Sequence, residues 1–203
     1  QKLKPGALVL FEGAAYRLYL EVLERRFHGR RTVRLTVDGD GDVDSAIDAI
    51  GHVPLPPYIR RSDEQRDRER YQTVFARARG SIAAPTAGLH FTPALLEMLV
   101  ARRIERVEIT LHVGYGTFQP IRGDQIEQHQ VAEEQFEITA GAADRINAAR
   151  AEGRRIVAVG TTSTRALESA VRVGNGRIEP GTGLTDLYIY PGFDFRAATA
   201  LLT

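Results

Sequence analysis

The 203-residue sequence contains no cysteine. This excludes a disulfide framework, a thiolate zinc site and a cysteine nucleophile, and it accords with a cytoplasmic setting, which is the expected localisation. No apolar run approaches the roughly 20 residues that a membrane-spanning helix needs, so no membrane partner is expected. The front of the chain has neither a starting methionine nor a basic stretch followed by an apolar one, and is read as incomplete. There is almost no net charge: 27 basic against 26 acidic residues leave +1, which gives no global electrostatic footprint for nucleic acid. Any polyanion must be met locally. Two arginine clusters are available for that, Arg25, Arg26, Arg30, Arg31 and Arg34, and then Arg60, Arg61, Arg66, Arg68 and Arg70. Acidic residues interleave the second, so a solvated arginine-rich face is the expected reading, with phosphate contact as the alternative.

What is present is a composition ordinary for a globular protein, 43% hydrophobic and 26% charged. Residues 7–37 alternate apolar and polar positions with glycine-containing breaks, which predicts short antiparallel strands. The following segment, 38–48, sets Asp38, Asp40, Asp42 and Asp44 at alternate positions like a calcium loop. Ala49 stands where such a loop needs a bidentate glutamate, so a solvated hairpin or loop is expected and no metal. VPLPPYIRR (53–61) reads as a proline-stiffened linker. The expected organisation is therefore a β module over 1–52, a linker over 53–70 and an α/β domain over 71–203.

Within the second part, Thr92 followed by Pro93 is an N-cap with proline at the first helical position, and VEITLHV (107–113) is a predicted strand. Thr139 caps a helix to about Ala151, Gly153 ends it, and RRIVAVG (154–160) is a predicted buried strand. Thr161–Ser163 are expected to form a turn before the next helix. Its free N–H groups suit a phosphate or a carboxylate, or are those of an ordinary capped helix. LTDLYIYPG (184–192) reads as another strand, ended by Pro191-Gly192.

The segments carrying the most chemistry are YQTVFARARGSIAAPTAGLHFT (71–92) and TLHVGYGTF (110–118). They put His90 and His112 in glycine- and threonine-rich turns at the ends of predicted elements, where backbone N–H groups and polar side chains are free to meet a ligand.

Together with INAARAEGRRIVAVGTTSTRALES, GTGLTDLYIYPGFDF, the PLPPYIRR linker and the leading LKPGALVLFEG, these segments resemble the S-adenosylmethionine:tRNA ribosyltransferase-isomerase family of the queuosine pathway. The resemblance runs over essentially all of the chain. It implies a barrel-like α/β catalytic domain with a small inserted antiparallel β-barrel domain, to which residues 1–52 would contribute. It also implies a fragment, since family members continue at both ends, with an asparagine-phenylalanine-histidine-leucine-proline segment expected just after Thr203.

The implied reaction transfers and isomerises the ribosyl group of S-adenosylmethionine onto the aminomethyl group of a 7-deazaguanine at the tRNA wobble position, giving epoxyqueuosine and releasing adenine and methionine. S-adenosylmethionine is then a substrate, and no cofactor is called for. The partners are S-adenosylmethionine and tRNA, and the protein is expected to be a monomer. Such chemistry needs a base for a proton made acidic by the sulfonium and a proton for departing adenine, tasks that suit histidine. His90 and His112 are the first candidates, with Thr86, Gly88, Gly114, Gly116 and Thr117 supplying close backbone approach and hydrogen bonds. Tyr115 would stack on adenine or on the target base, or pack beneath its own loop. Arg165, with Thr161 and Thr162, would hold the methionyl carboxylate or a tRNA phosphate. Asp186 and Tyr188 are expected at the same pocket. The family's histidine, two residues, histidine, one residue, glutamate pattern appears here as His129 and Glu134 with Ala132 at the second histidine. Glu134 would orient the His129 imidazole, or the two form a surface pair.

Overall fold

In the computed structural model, residues 3–26, 31–39, 41–56, 59–114, 126 and 131–203 are described. They fall into two compact units, Gln1–Val53 and Pro54–Thr203.

The first unit is built on the alternation seen in the sequence. Strands β1 (Leu8–Glu12), β2 (Arg17–Arg25) and β3 (Arg31–Val37) form an antiparallel sheet in that order, with a register shift between Val22 and Glu24. Leu18 and Val22 alternate to its buried side. The expected loop over 38–48 is instead largely a helix, α1 (Val43–Ile50). Val43, Ala46, Ile47 and Ile50 recur at helical spacing, which puts Ala46 wholly inside. Asp42 serves as its N-cap, accepting from the Ser45 amide at 2.9 Å. The Ser45 hydroxyl and amide hold the Asp42 carboxyl below its usual range. The acidic run thus starts a helix, with Asp44 in the first turn beside the positive end of the helix dipole.

The second unit is mixed α/β. In chain order it contains α2 (Asp67–Arg70), a 3₁₀ turn (Thr86–His90), α3 (Pro93–Ala101), β4 (Thr110–Leu111), β5 (Glu134–Ile138), α4 (Ala140–Ala151), β6 (Val157–Val159), α5 (Gly160–Val173), β7 (Gly181–Thr185) and β8 (Ala200–Leu202). β4, β5 and β7 make one antiparallel sheet, and β6 pairs in parallel with β8. The sheets are small and open, and the described residues of neither unit form a closed barrel.

Local signals set the helix ends. Thr92 and Thr139 cap α3 and α4, accepting from Leu95 and Ala142. α4 ends at Gly153, φ +66°, where the amides of Gly153 and Arg154 reach back to the carbonyls of Arg150 and Ala149. The core lies between the β4–β5–β7 sheet and α4 and α5, and is rich in alanine: Phe136 and Ile138 meet Ala142, Ala143, Ile146, Ala166, Ala170, Val171 and Ile178. Phe136 lies across the ladder from Gly183, whose missing side chain leaves room for the ring.

Other expectations change as well, and the buried strand expected over 154–160 shortens to β6, with Ala158 buried but Val157 exposed. The strand over 107–113 shrinks to β4. No turn separates β6 from α5, because Gly160, φ +86°, carries the strand directly into the helix and Thr161–Ser163 belong to its first turn. The strand expected over 184–192 lies instead at 181–185, as β7: the chain leaves the ladder after Thr185, where Arg165 takes the carbonyl oxygens of Thr185 and Leu187 in place of a neighbouring strand.

One buried acid ties the second unit together. Glu168 on α5 accepts from the amides of Arg196, Ala197 and Ala198, each at 2.9 Å, and from Arg172 Nη1 at 2.6 Å. Burial alone would raise its pKa, but these hydrogen bonds outweigh it and leave the carboxyl below its usual range.

Candidate functional site

The glycine- and histidine-bearing segments of the sequence come together in the second unit. Residues 80–82 run beside 111–113, with Ile82 donating to the Val113 carbonyl at 3.0 Å and Val113 donating to Ser81 Oγ at 3.1 Å. On the other side His112 donates its amide to Gln135 of β5 at 2.8 Å. The His112 backbone is thus fixed between two strands of chain. Its half-buried ring rests against Gly80, φ +135°, and its Nδ1 is sealed from solvent with no hydrogen-bond partner among the described residues.

The 3₁₀ turn Thr86–His90 buries Ala87 and Gly88 and leaves Thr86 and His90 exposed. Gly88 is packed so tightly on Thr73 and Phe75 that a β-carbon there would meet Thr73 Cγ2 at 2.9 Å. Ala87 abuts the start of α5, 3.5 Å from where a Gly160 β-carbon would be. In that first turn Thr161 is exposed and Thr162 half-buried, while Thr164 is buried with its hydroxyl on the Gly160 carbonyl at 3.0 Å.

Glu134, the first residue of β5, has a side chain with no exposed surface. Its Oε1 accepts from the Gly114 amide at 2.8 Å and its Oε2 from Arg165 Nη1 at 2.5 Å. Arg165 also donates through Nε to Leu187 O at 2.7 Å. Its Nη2 reaches Thr185 O at 3.4 Å, so all three guanidinium nitrogens of Arg165 donate to the protein itself. Asp186, between the two carbonyls that Arg165 holds, is exposed, and Tyr188 stacks with Tyr190 at 6.4 Å between ring centroids. Ala132 is half-buried two positions before Glu134. Tyr115, Gly116, Thr117 and His129 lie outside the described residues.

Gly80, Ser81 and Thr185 were not singled out from sequence. Gly80 and Ser81 lie within the 71–92 segment, where a Gly-Ser pair just before an apolar run is the available signal. Thr185, buried with its hydroxyl 2.6 Å from that of Ser169, carried none.

Electrostatically, much of the arginine complement is spoken for. Arg26, Arg34 and Arg66 pair with Glu24, Glu21 and Glu64, and Arg61 grips Asp67 with two hydrogen bonds, holding that carboxyl well below its usual range. A cleft of about 430 Å³ is lined by Arg77, Arg106, Glu108, Arg145 and the first turn of α4, but none of the candidate residues borders it. Among the described residues no group of three or more histidine, aspartate or glutamate side chains is arranged to hold a metal ion, and no helix is long and apolar enough to cross a membrane.

Comparison with known proteins follows the same residues. The model of the family described as queuosine biosynthesis protein matches residues 1–203. The chain is 49% identical over 204 residues to the S-adenosylmethionine:tRNA ribosyltransferase-isomerase of Heliobacterium modesticaldum, covering 100% of this chain and 58% of that protein. Similar values hold for proteins of the same name from Anaeromyxobacter dehalogenans, 49% identical over 99% of this chain and 56% of the relative, and Desulfitobacterium hafniense, 48% identical over 100% and 58%. The chain thus spans a little over half the length of these relatives.

Proposed function

The chain belongs to the queuosine biosynthesis protein family, and from that premise we propose that it is part of an enzyme that transfers and isomerises the ribosyl group of S-adenosylmethionine onto 7-aminomethyl-7-deazaguanine at the tRNA wobble position, giving epoxyqueuosine-tRNA, adenine and methionine. The observation that supports this best is the near-50% identity to relatives bearing that name, over a chain whose two histidine motifs pack against one sheet and one helix start.

In this reading His112 is the first candidate for the base. Its backbone is clamped on both sides, and with Nδ1 sealed, Nε2 is the nitrogen left for proton transfer. His90, exposed at the end of its turn, is the candidate for handing a proton to adenine. Thr86 and Gly114 line the approach, Gly88 lets the turn pack closely beneath it, and Gly116, Thr117 and Tyr115 are the further candidates that the sequence supplies. Thr161 and Thr162 offer hydroxyls and free N–H groups at the start of α5 to the methionyl carboxylate, with the remaining N–H groups of Arg165 and the Asp186 carboxylate at its edge. S-adenosylmethionine is consumed as substrate and no further cofactor enters. The residues of the first unit contribute to an inserted β domain, and the protein acts as a cytoplasmic monomer.

The test is direct. The full-length protein is incubated with S-adenosylmethionine and precursor tRNA and released adenine is measured; no adenine above background overturns the reading. A second reading, a diverged paralogue that binds nucleotide or RNA without this turnover or acts on another acceptor, is favoured by one observation, Ala132 in place of the family histidine. Binding of tRNA without adenine release would select it. Activity that survives replacement of tRNA by the free base would instead indicate a small-nucleoside enzyme.

A further inference from the structure

We propose that Glu134 is a positioning residue for the reaction described above, on which this inference rests. Its carboxylate locks the Gly114 turn, next to His112, to α5 and to the 185–187 segment, and carries no proton in the reaction.

The geometry leaves the carboxylate little else to do. Among the described residues each oxygen has one short, charge-assisted contact, Gly114 N–H on one and the Arg165 guanidinium on the other, and the side chain has no exposed surface. The partners lie 20 and 31 residues away in sequence, so this one group joins three separate parts of the chain. Beside it, Gln135 O takes the His112 amide, so two consecutive residues of β5 fix two of three consecutive residues around the candidate base. On the far side, Arg165 holds the carbonyls of Leu187 and Thr185 at 2.7 and 3.4 Å, and the Ser169 and Thr185 hydroxyls meet at 2.6 Å. Asp186 is therefore pinned from both neighbours to the helix whose first turn carries Thr161 and Thr162.

Proton transfer through Glu134 would break that lock. Protonating either oxygen removes the charge that both contacts depend on and leaves a guanidinium, with a side chain only 13% exposed, without its counter-ion. Buried ion pairs are also poor sources of stability compared with apolar packing of the same volume. Position, rather than stability, is what this pair supplies.

The experiment uses the full-length protein and three variants, Glu134→Gln, Arg165→Met and the two combined. Gln keeps an oxygen for the Gly114 amide, and the combined variant leaves no uncompensated charge if either single change folds poorly. Steady-state adenine release is followed across pH, and the Gly114 amide is followed by NMR hydrogen exchange.

The expected result is a fall in kcat of about 10- to 100-fold in Glu134→Gln, the range that a small misplacement of catalytic groups produces. The KM for S-adenosylmethionine should change little, the shape of the pH profile should be unchanged, and the double variant should lose no more than the worse single variant. Loss of one limb of the pH profile in Glu134→Gln would make Glu134 a proton carrier and overturn the proposal. So would kcat within about twofold of the parent in both single variants, or effects that simply multiply. If the parent protein releases no adenine, the functional reading fails by itself. Positioning is then judged on the Gly114 amide, whose protection falls in the combined variant while neighbouring core amides keep theirs if the lock exists, and is unaltered if it does not.

Discussion

A β-carbon at Gly80 would lie 2.5 Å from Nδ1 of His112, far inside contact distance. The His112 ring occupies the space that glycine leaves open, and the glycine sits at φ +135°, a conformation that other residues rarely adopt. Gly80→Ala should therefore displace the imidazole and strain the backbone at once, with an expected cost of order 1–3 kcal/mol. Adenine release should drop more than the melting temperature would suggest. An alanine variant with parental kcat would remove His112 from the reaction.

Glu168 gives a prediction in pH. Its carboxyl lies below the ordinary value of 4.5 in the folded protein, so its contribution to stability is complete above that value and is lost as pH falls through the lower, folded one. Urea unfolding followed from pH 6 down to about pH 3 should show this loss. It should be absent in Glu168→Gln, which starts less stable by about 3 kcal/mol because Arg172 and three amides lose an anionic acceptor.

Gly183→Ala tests packing apart from chemistry. Its β-carbon would fall 2.5 Å from Phe136 Cζ, in the core, and overpacking of this kind costs roughly 1–3 kcal/mol. Thermal unfolding should register it, while kcat for the protein that remains folded stays near that of the parent.

Ala132→His restores the family pattern at the position it departs from. The reading of the chain as an active enzyme predicts a gain in adenine release of less than about tenfold, below the roughly 100- to 10,000-fold that a general acid or base contributes. A gain of a hundredfold or more would show that the natural chain has lost a proton-transfer group.

Local chemistry was legible in the sequence, and long-range chemistry was not. Thr92 with Pro93, and Thr139 with Gly153, announced the ends of α3 and α4 because capping involves residues three or four apart. The alternation over 7–37 likewise announced three strands. The run at 38–48 misled because its aspartates and glycines suggest a solvated hairpin or loop, whereas the apolar spacing of Val43, Ala46, Ile47 and Ile50 already marked a helix that one of those carboxylates would cap. The end of β7 misled for another reason: an arginine 20 residues upstream intercepts the carbonyls a further strand would have used. The segments that carry the candidate residues were visible as motifs. That Glu134 faces Gly114 and Arg165 was not, since nothing in the chain marks a pairing across 20 or 31 residues.

The Glu168 tie also bears on how the chain acquires its structure. α5 is made first, and the amides of 196–198 that satisfy its carboxylate follow 28 to 30 residues later. Until they arrive, docking α5 would bury a charge with only Arg172 beside it, so the helix is held back from the core it will later complete. A chain released before Ala198 should therefore stay loosely packed and prone to association, whereas one that includes it can close.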